Sequence, residues 1–392
     1  MENADRNSIK RRLSEVLSIN SVTGREKELG NYLENYMREV GLYVQIQDVS
    51  EGRFNVLGHT AKNLSNRPRM MLNAHYDVVP EGTGWTRSPF GGTIDGNDRM
   101  YGRGASDMKG GLVAMIESAA NIQNRDLKDD GSDLVVAAVV DEEETQLGTK
   151  KIIEGGIRPS YAIVGEPTKL AVVIAHKGEL ALEIIIEGKS AHSSVPEKGI
   201  NSIYQASKII RELELRALAF QKLGKKKPHP LLGHPTLSVT MINGGNGPAI
   251  VPARTSITVD RRLLPGEDPN QIGKEFGNMI IRLREKEKGL GNVKTSMRKI
   301  IEAYPLEIKK DHPLVKVALR SRSEVMLAPS RTSGVPYTTD GWILANAGIP
   351  TLIMGPGDIE RAHRPDEWVS LEEVSKASEI YSKIAMALLS ES

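Results

Sequence analysis

Asp107 is the residue from which the chemistry of this sequence is most directly read. It lies in Tyr101-Gly-Arg-Gly-Ala-Ser-Asp-Met-Lys-Gly-Gly111, where a glycine-rich turn delivers one acid to the start of the apolar run 108–122. A carboxylate near a helix N-terminus is held deprotonated by the peptide dipole and is ready to take a cation. An ordinary N-capping aspartate would occupy the same place. A dinucleotide-binding loop fits less well, because Asp107 stands where the third glycine of that fingerprint falls. Five further potential ligands accompany it: His75, Glu142, Glu143, Glu166 and His363. Each falls at an expected strand end or in a loop. Two imidazoles and four carboxylates suffice for two divalent cations. Ions about 3.5–4 Å apart need a shared ligand, and a carboxylate with two oxygens can bridge them. One such residue in a loop is ordinary surface; six so placed are not.

Composition narrows what such a site could serve. The chain has 52 Lys+Arg against 50 Asp+Glu, a net charge of +2, so bulk electrostatics make no case for nucleic acid or an anionic membrane. Its longest apolar runs, such as 134–140, are far short of a membrane span, and the charged start Met1-Glu-Asn-Ala-Asp-Arg6 does not read as a signal peptide. A cytoplasmic location is the expectation. With no cysteine, disulfides and thiolate chemistry are excluded, and hard or borderline ligands remain. The basic run Lys225-Lys-Lys227, flanked by Pro228 and Pro230, reads as a solvated loop.

Positioning the ligands requires strands. The runs 70–73, 134–140 and 161–164 are short and apolar, and they lead respectively into His75-Tyr-Asp77, Asp141-Glu-Glu-Glu144 and Gly165-Glu166. Polar residues just beyond the carboxyl ends of buried strands mark the functional edge of an α/β fold. Residues 7–40 read as two helices divided by Ser21-Val-Thr-Gly24, and a strand is expected near 43–48. Between about 178 and 299 the pattern changes to strand 180–187, helix 201–223, strands 237–242 and 255–261, helix 269–287 and strand 292–298. That βαββαβ order is the order of a ferredoxin-like unit, compact enough for an inserted domain. Helix 313–327, strand 349–354 and a last helix opened by the capping box Ser370-x-x-Glu373 then return the chain to the first domain. At 392 residues two domains are expected, with boundaries at 1–177, 178–299 and 300–392.

Several motifs together resemble the M20 metallopeptidase family, in its acetylornithine deacetylase/succinyl-diaminopimelate desuccinylase branch. They are His75-Tyr-Asp-Val-Val-Pro80, Trp85 with Pro89-Phe90, the Tyr101–Gly111 stretch, Asp141-Glu-Glu-x-x-x-x-Gly148, Gly165-Glu-Pro-Thr168, Gly188-Lys-Ser-Ala-His192 and Ala362-His363. The resemblance implies an α/β, zinc-aminopeptidase-like catalytic domain with a mixed sheet, interrupted by a ferredoxin-like lid that dimerises. It implies two divalent ions, zinc or cobalt, with His75, Asp107 and Glu166 around one and Asp107, Glu143 and His363 around the other. Asp77 would steady the His75 imidazole and Glu142 would be the general base. Because Glu142, Glu143 and Glu144 are consecutive, the spacing from Asp141 to Gly148 is what selects this register. From the lid, His192 would reach a neighbouring subunit's site and donate to the substrate carbonyl. Arg262, with backbone from Gly355 and Gly357, would hold a substrate carboxylate. Ala249 departs from the pattern, standing where relatives commonly carry asparagine.

The expected activity is hydrolysis of an N-acyl amino acid of acetyl or succinyl type in amino-acid biosynthesis. A hydroxide bridging the two ions would attack, with Glu142 as base. An exopeptidase or dipeptidase using the same centre is the enzymatic alternative, and a small-molecule binder that has lost catalysis is the alternative of another class. A succinyl group would call for a second cationic contact, for which Arg103, Lys109 and Arg331 are unranked candidates.

Overall fold

The computed structural model describes residues 2–62, 66–123, 133–226, 228–287, 290 and 293–390. Two compact units emerge: Met1–Ile174, Glu307–Ser333 and Thr339–Ser392 form one, and Ala175–Leu306 with Gly334–Thr338 the other.

The first unit opens with α1 (Glu2–Ser18) and α2 (Lys27–Glu39), then the hairpin β1 (Tyr43–Ser50) and β2 (Arg53–His59). There follow β3 (Met70–His75), the short β4 (Thr93–Ile94) and β5 (Arg99–Tyr101), α3 (Gly110–Gln123), β6 (Leu134–Val139), α4 (Leu147–Glu154), β7 (Tyr161–Val164) and β8 (Val172–His176). Strands β3 and β6 are buried at every residue, which is why their sequences run apolar without alternation. Helix α3 is likewise buried from Gly110 to Ala120 and packs against α9 (Leu371–Leu389).

The second unit comprises β9 (Gly178–Glu187), the short β10 (Ala191–His192), α5 (Ser202–Lys226), β11 (Thr236–Gly244), the short β12 (Ile250–Val251), β13 (Arg254–Leu263), α6 (Pro269–Lys286) and β14 (Lys294–Ala303). Its four long strands form an antiparallel sheet ordered β11-β13-β9-β14. Leu180, Leu182, Ile184 and Ile186 of β9 alternate into a core with Ile209 and Leu213 of α5 and with Phe276 and Met279 of α6. Asp268 caps α6 through Asn270 N at 2.8 Å, with Pro269 in the first turn. The basic run expected in a loop begins inside a helix, since α5 extends through Lys226; Lys227 lies outside the described residues.

The chain completes the first unit with β15 (Leu306–Glu307), α7 (Pro313–Met326), β16 (Thr332–Val335), α8 (Gly341–Asn346), β17 (Thr351–Ile353), β18 (Trp368–Ser370) and α9. The large mixed sheet runs β1-β2-β6-β3-β7-β17-β8-β15, with β16 on β8. The expected capping box at α9 is one-sided. Ser370 accepts from Glu373 N at 3.4 Å, but the Glu373 carboxylate takes Gly357 N instead, at 2.9 Å.

A buried histidine gives the fold a measurable pH dependence. His176 donates Nδ1–H to the Lys177 carbonyl at 2.8 Å, and its Nε2 has no partner among the described residues. Burial pushes the imidazole down to about 4 from 6.5. Protons then bind the unfolded chain more readily between these two values, so stability is full above about pH 6.5 and falls towards pH 4. The loss is on the order of 3 kcal/mol. Urea titrations at pH 7 and pH 4.5 should show a smaller difference in His176→Leu than in the wild type; identical differences would remove His176 as the cause.

Candidate metal centre

Parallel pairing puts the ligand-bearing strand ends at one edge. β3 runs parallel to β6 with His75 opposite Val139, and parallel to β7 with Asn73 opposite Val164. The chain leaving β6 therefore carries Glu142 and Glu143, and the chain leaving β7 carries Glu166, to the side where His75 ends β3. Asp107 arrives from residues 105–109, which precede α3 and are not regular helix there: its φ and ψ are −123° and 95°. Gly104, with φ 84°, precedes that segment, and regular helix begins only at Gly110. His363, in a left-handed conformation with φ 61°, lies in the loop before β18.

The six side chains converge. Asp107 Oδ1 lies 3.2 Å from His75 Nε2 and its Oδ2 lies 3.3 Å from His363 Nε2, so each oxygen faces a different imidazole. His363 Nε2 is also 3.1 Å from Glu143 Oε1. Donor atoms of His75, Glu142 and Glu166, and of His75, Asp107 and Glu143, fall within 4.8 Å of one another. These spacings suit cations. Nitrogen and oxygen donors about 2.1 Å from a tetrahedral zinc would stand about 3.4 Å from each other. Glu142 thus belongs to the same cluster as His75 and Glu166.

The charges balance poorly without cations. Burial drives Glu142 well above the usual carboxylate range, and it does the same to Glu166 with help from Asp107. Burial opposes charge on both Asp107 and His75. Hydrogen bonds from His363 and His75 nevertheless hold Asp107 well below its ordinary value, while Asp107, Glu142 and Glu166 hold His75 well above its own. His363 is raised to about 10 by Asp107 and Glu143. Protons on the imidazoles here supply positive charge that bound cations would supply in their place.

Supporting contacts include several that sequence reading had not singled out. Asp77 sits with its carboxylate 3.7 Å from His75 Nδ1, whose closer partner is the Asp77 main-chain oxygen at 2.9 Å. The Asp77 carboxylate instead accepts from Glu142 N at 3.1 Å, Glu143 N at 3.2 Å and Thr23 Oγ1 at 2.9 Å, which fixes the loop bearing both glutamates. Asp141, left-handed at φ 68°, is held by Arg53 at 2.7 Å, and Arg53 also pairs with the fully buried Glu26 side chain. Behind them a buried chain runs from Asn73 Nδ2 to Thr149 Oγ1 at 3.0 Å and on to Asp340 at 2.6 Å, where burial raises the acid to about 7. The only sequence signal for any of these was the charge of Asp141 and Asp77 beside the motif.

Of the other expected site residues, His192 and Arg262 belong to the second unit and Gly355 and Gly357 to the first. His192 is exposed in the second unit, its Nδ1 2.7 Å from Ser194 Oγ, and the Ala249 carbonyl accepts from Ser193 N at 2.9 Å beside it. Arg262 is also in that unit and is paired with Glu179 at 2.8 Å and Asp260 at 3.1 Å. Gly355 and Gly357 are buried in the first unit, and a side chain at Gly355 would strike the Gly165 carbonyl. Among the three candidate cations for a second carboxylate, Arg103 is buried against Glu367 at 2.7 Å. Lys109 is buried with Nζ on Val16 O at 3.2 Å and Ile19 O at 3.0 Å, while Arg331 is exposed.

Residues 71–387 match peptidase family M20/M25/M40. The chain belongs to this family. An acetylornithine deacetylase of Aliivibrio fischeri is 32% identical over 362 residues, covering 91% of this chain and 90% of that protein. Among solved structures, an M20 family metallo-carboxypeptidase from Sulfolobus solfataricus superposes with a TM-score of 0.78 at 21% identity, over 96% of this chain and 98% of that one. A dinuclear metal binding peptidase of the M20 family from Bacillus subtilis does so at 0.69 and 16%, over 99% of each chain. As an M20 member the protein is a hydrolase of C–N bonds. The family implies a dinuclear metal site, and the His, Asp and Glu groups gathered here have the chemistry to hold one.

Cation binding should stabilise the fold. At about 100 times the dissociation constant each site contributes ~2.7 kcal/mol, or on the order of 5–10 °C in Tm for a unit of this size. Zinc or cobalt added to chelator-stripped protein should produce that rise, and Asp107→Asn should lose most of it. An unmoved Tm in the wild type would argue against a cation site.

Proposed function

We propose that the protein removes an acetyl- or succinyl-type acyl group from the nitrogen of an amino acid, with Glu142 as general base. The observation that carries this reading is Glu142 lying among the metal-ligand candidates: its donor atom is within 4.8 Å of those of His75 and Glu166. The name of the Aliivibrio relative supports the deacylase form. His75, Asp107 and Glu166 would hold one ion, and Asp107, Glu143 and His363 the other. Two zinc or cobalt ions bound there would lower the pKa of a water toward neutrality and polarise the scissile carbonyl. Glu142 takes the proton of the attacking water and returns it to the departing amine. Asp77 keeps that glutamate's loop in place through the main-chain N–H groups of Glu142 and Glu143.

For the second unit the reading follows the resemblance. Its element order and its sheet order β11-β13-β9-β14 support a ferredoxin-like lid. Its edge strands expose Met241 and Ile242 on β11 and Ile300 and Ile301 on β14, which supports pairing with a second copy. His192 is proposed to donate to the carbonyl of a substrate bound by that copy, and Arg262, with backbone from Gly355 and Gly357, to hold a substrate carboxylate.

The test is amine release by chelator-stripped protein, with and without zinc or cobalt, across N-acetyl amino acids, N-succinyl amino acids and unblocked dipeptides. Metal-dependent turnover of the acylated substrates is expected; turnover of dipeptides alone would make the protein a peptidase. Glu142→Gln should keep both ions and lose about 10²–10⁴-fold in kcat. Glu143→Gln should lose one ion. The reverse outcome for the two variants would exchange base and ligand.

A further inference from the structure

Glu367 is a buried acid with an unusual set of partners. Its Oε1 accepts from Ser106 N at 2.9 Å and Asp107 N at 3.0 Å, and its Oε2 accepts from Gly104 N at 3.0 Å and Arg103 Nη1 at 2.7 Å. Its main-chain oxygen takes a fifth donor, Gly102 N, at 3.0 Å. The segment 102–107 is not regular helix, so its N–H groups lack the carbonyls that a helix would offer them, and buried N–H groups left alone are costly. One carboxylate satisfies three of them. It does so close to another acid, Asp107, where an apolar residue would avoid the repulsion of two buried like charges.

The same carboxylate fastens a second loop. Glu367 lies four residues after His363, and Arg103, which it holds, also donates to Arg364 O at 3.3 Å, within that loop. Pairing of Trp368 with Tyr101 continues the junction into β18 and β5. The segment bearing Asp107 and the segment bearing His363 are thus joined through one side chain. His75 and Glu166 are placed independently of this junction, by the ends of β3 and β7.

We infer that Glu367 is a positioning residue for the metal pair, setting the Asp107 and His363 loops in register so that each Asp107 oxygen faces its own imidazole. This rests on the two-ion reading of the site. Its consequence is selective: loss of Glu367 weakens the ion held with His363 more than the ion held with His75 and Glu166. Substitution by glutamine is informative because an amide presents N–H to one of the two donor pairs, which a carboxylate never does.

Cobalt titration of the full-length, chelator-stripped protein by calorimetry and visible absorption tests this without reference to turnover. The wild type should take two ions. Glu367→Gln should take one with near wild-type affinity and the other 10–100-fold more weakly, a typical loss for a group behind a ligand, and its isotherm should resemble that of His363→Ala rather than Glu166→Ala. Glu367→Asp keeps the charge but is one methylene shorter, so it should fall between. If Glu367→Gln does not fold, this variant carries the comparison. Two ions at wild-type affinity in a variant whose Tm alone is lowered would reduce Glu367 to a structural clamp and overturn the inference, as would equal weakening of both ions. A wild type that binds a single ion would overturn the two-ion reading first, and the inference with it.

Discussion

Negative charge withdrawn from water at the ends of parallel strands is the constraint on which this structure turns. Asp77, Asp107, Glu166, Asp340 and Glu367 are all buried, and Glu142 and Glu143 stand beside them. Among the basic groups that answer them are two imidazoles and Arg103. Like charges at such separations cannot all ionise in a medium of low polarity. Without cations the conflict is settled by protons, with imidazoles held positive and several acids held neutral. Two divalent cations would settle it in the other direction, displacing those protons as they bind.

The scaffold keeps that demand for positive charge unmet by the way it holds its acids. Asp77 and Glu367 are satisfied largely by main-chain N–H groups, two for Asp77 and three for Glu367. Such donors supply hydrogen bonds and orientation but no full charge, so they position ligand loops without neutralising the centre. The two arginines close by are paired with acids that are not ligand candidates. Arg53 serves Glu26 and Asp141, and Arg103 serves Glu367. The ligands are therefore fixed in place while the charge they need must come from outside the chain.

This division explains what was readable in the sequence. The ligand candidates were visible because buried parallel strands are continuous apolar runs, and polar residues directly after them stand out. The antiparallel unit was visible through the alternation along β9 and β13 and the Asp268-Pro269 cap. Glu367, Asp340 and Arg53 were not, because each meets partners well separated along the chain, more than 250 residues away for the main-chain donors of Glu367, and such pairings leave no periodic trace. Helix α3 was expected from residue 108 on apolar character alone. Hydrogen bonds from Ser106 N and Asp107 N to Glu367 hold the turn that delays it to Gly110. The hairpin partner β2 was missed for a related reason: Asn55, fully buried, looks polar in sequence but meets the Gly148 carbonyl at 2.9 Å.

Catalysis and specificity are separable in such a site. Paired cations and a base act on an amide whatever flanks it, so likeness of fold to a metallo-carboxypeptidase at 21% identity and likeness of sequence to a deacetylase at 32% make no opposing claims about the centre. The acyl group is chosen by the side chains that meet it. A succinyl group carries a carboxylate that the acetyl group lacks, and it needs a cation with a free face. Arg103 and Lys109 are buried and committed to Glu367 and to the carbonyls of Val16 and Ile19, so drawing either away would leave buried polar groups unpaired. Of the three candidates only Arg331 is exposed. A second carboxylate could therefore be met by Arg331 without unpairing a buried group, which Arg103 and Lys109 could not do.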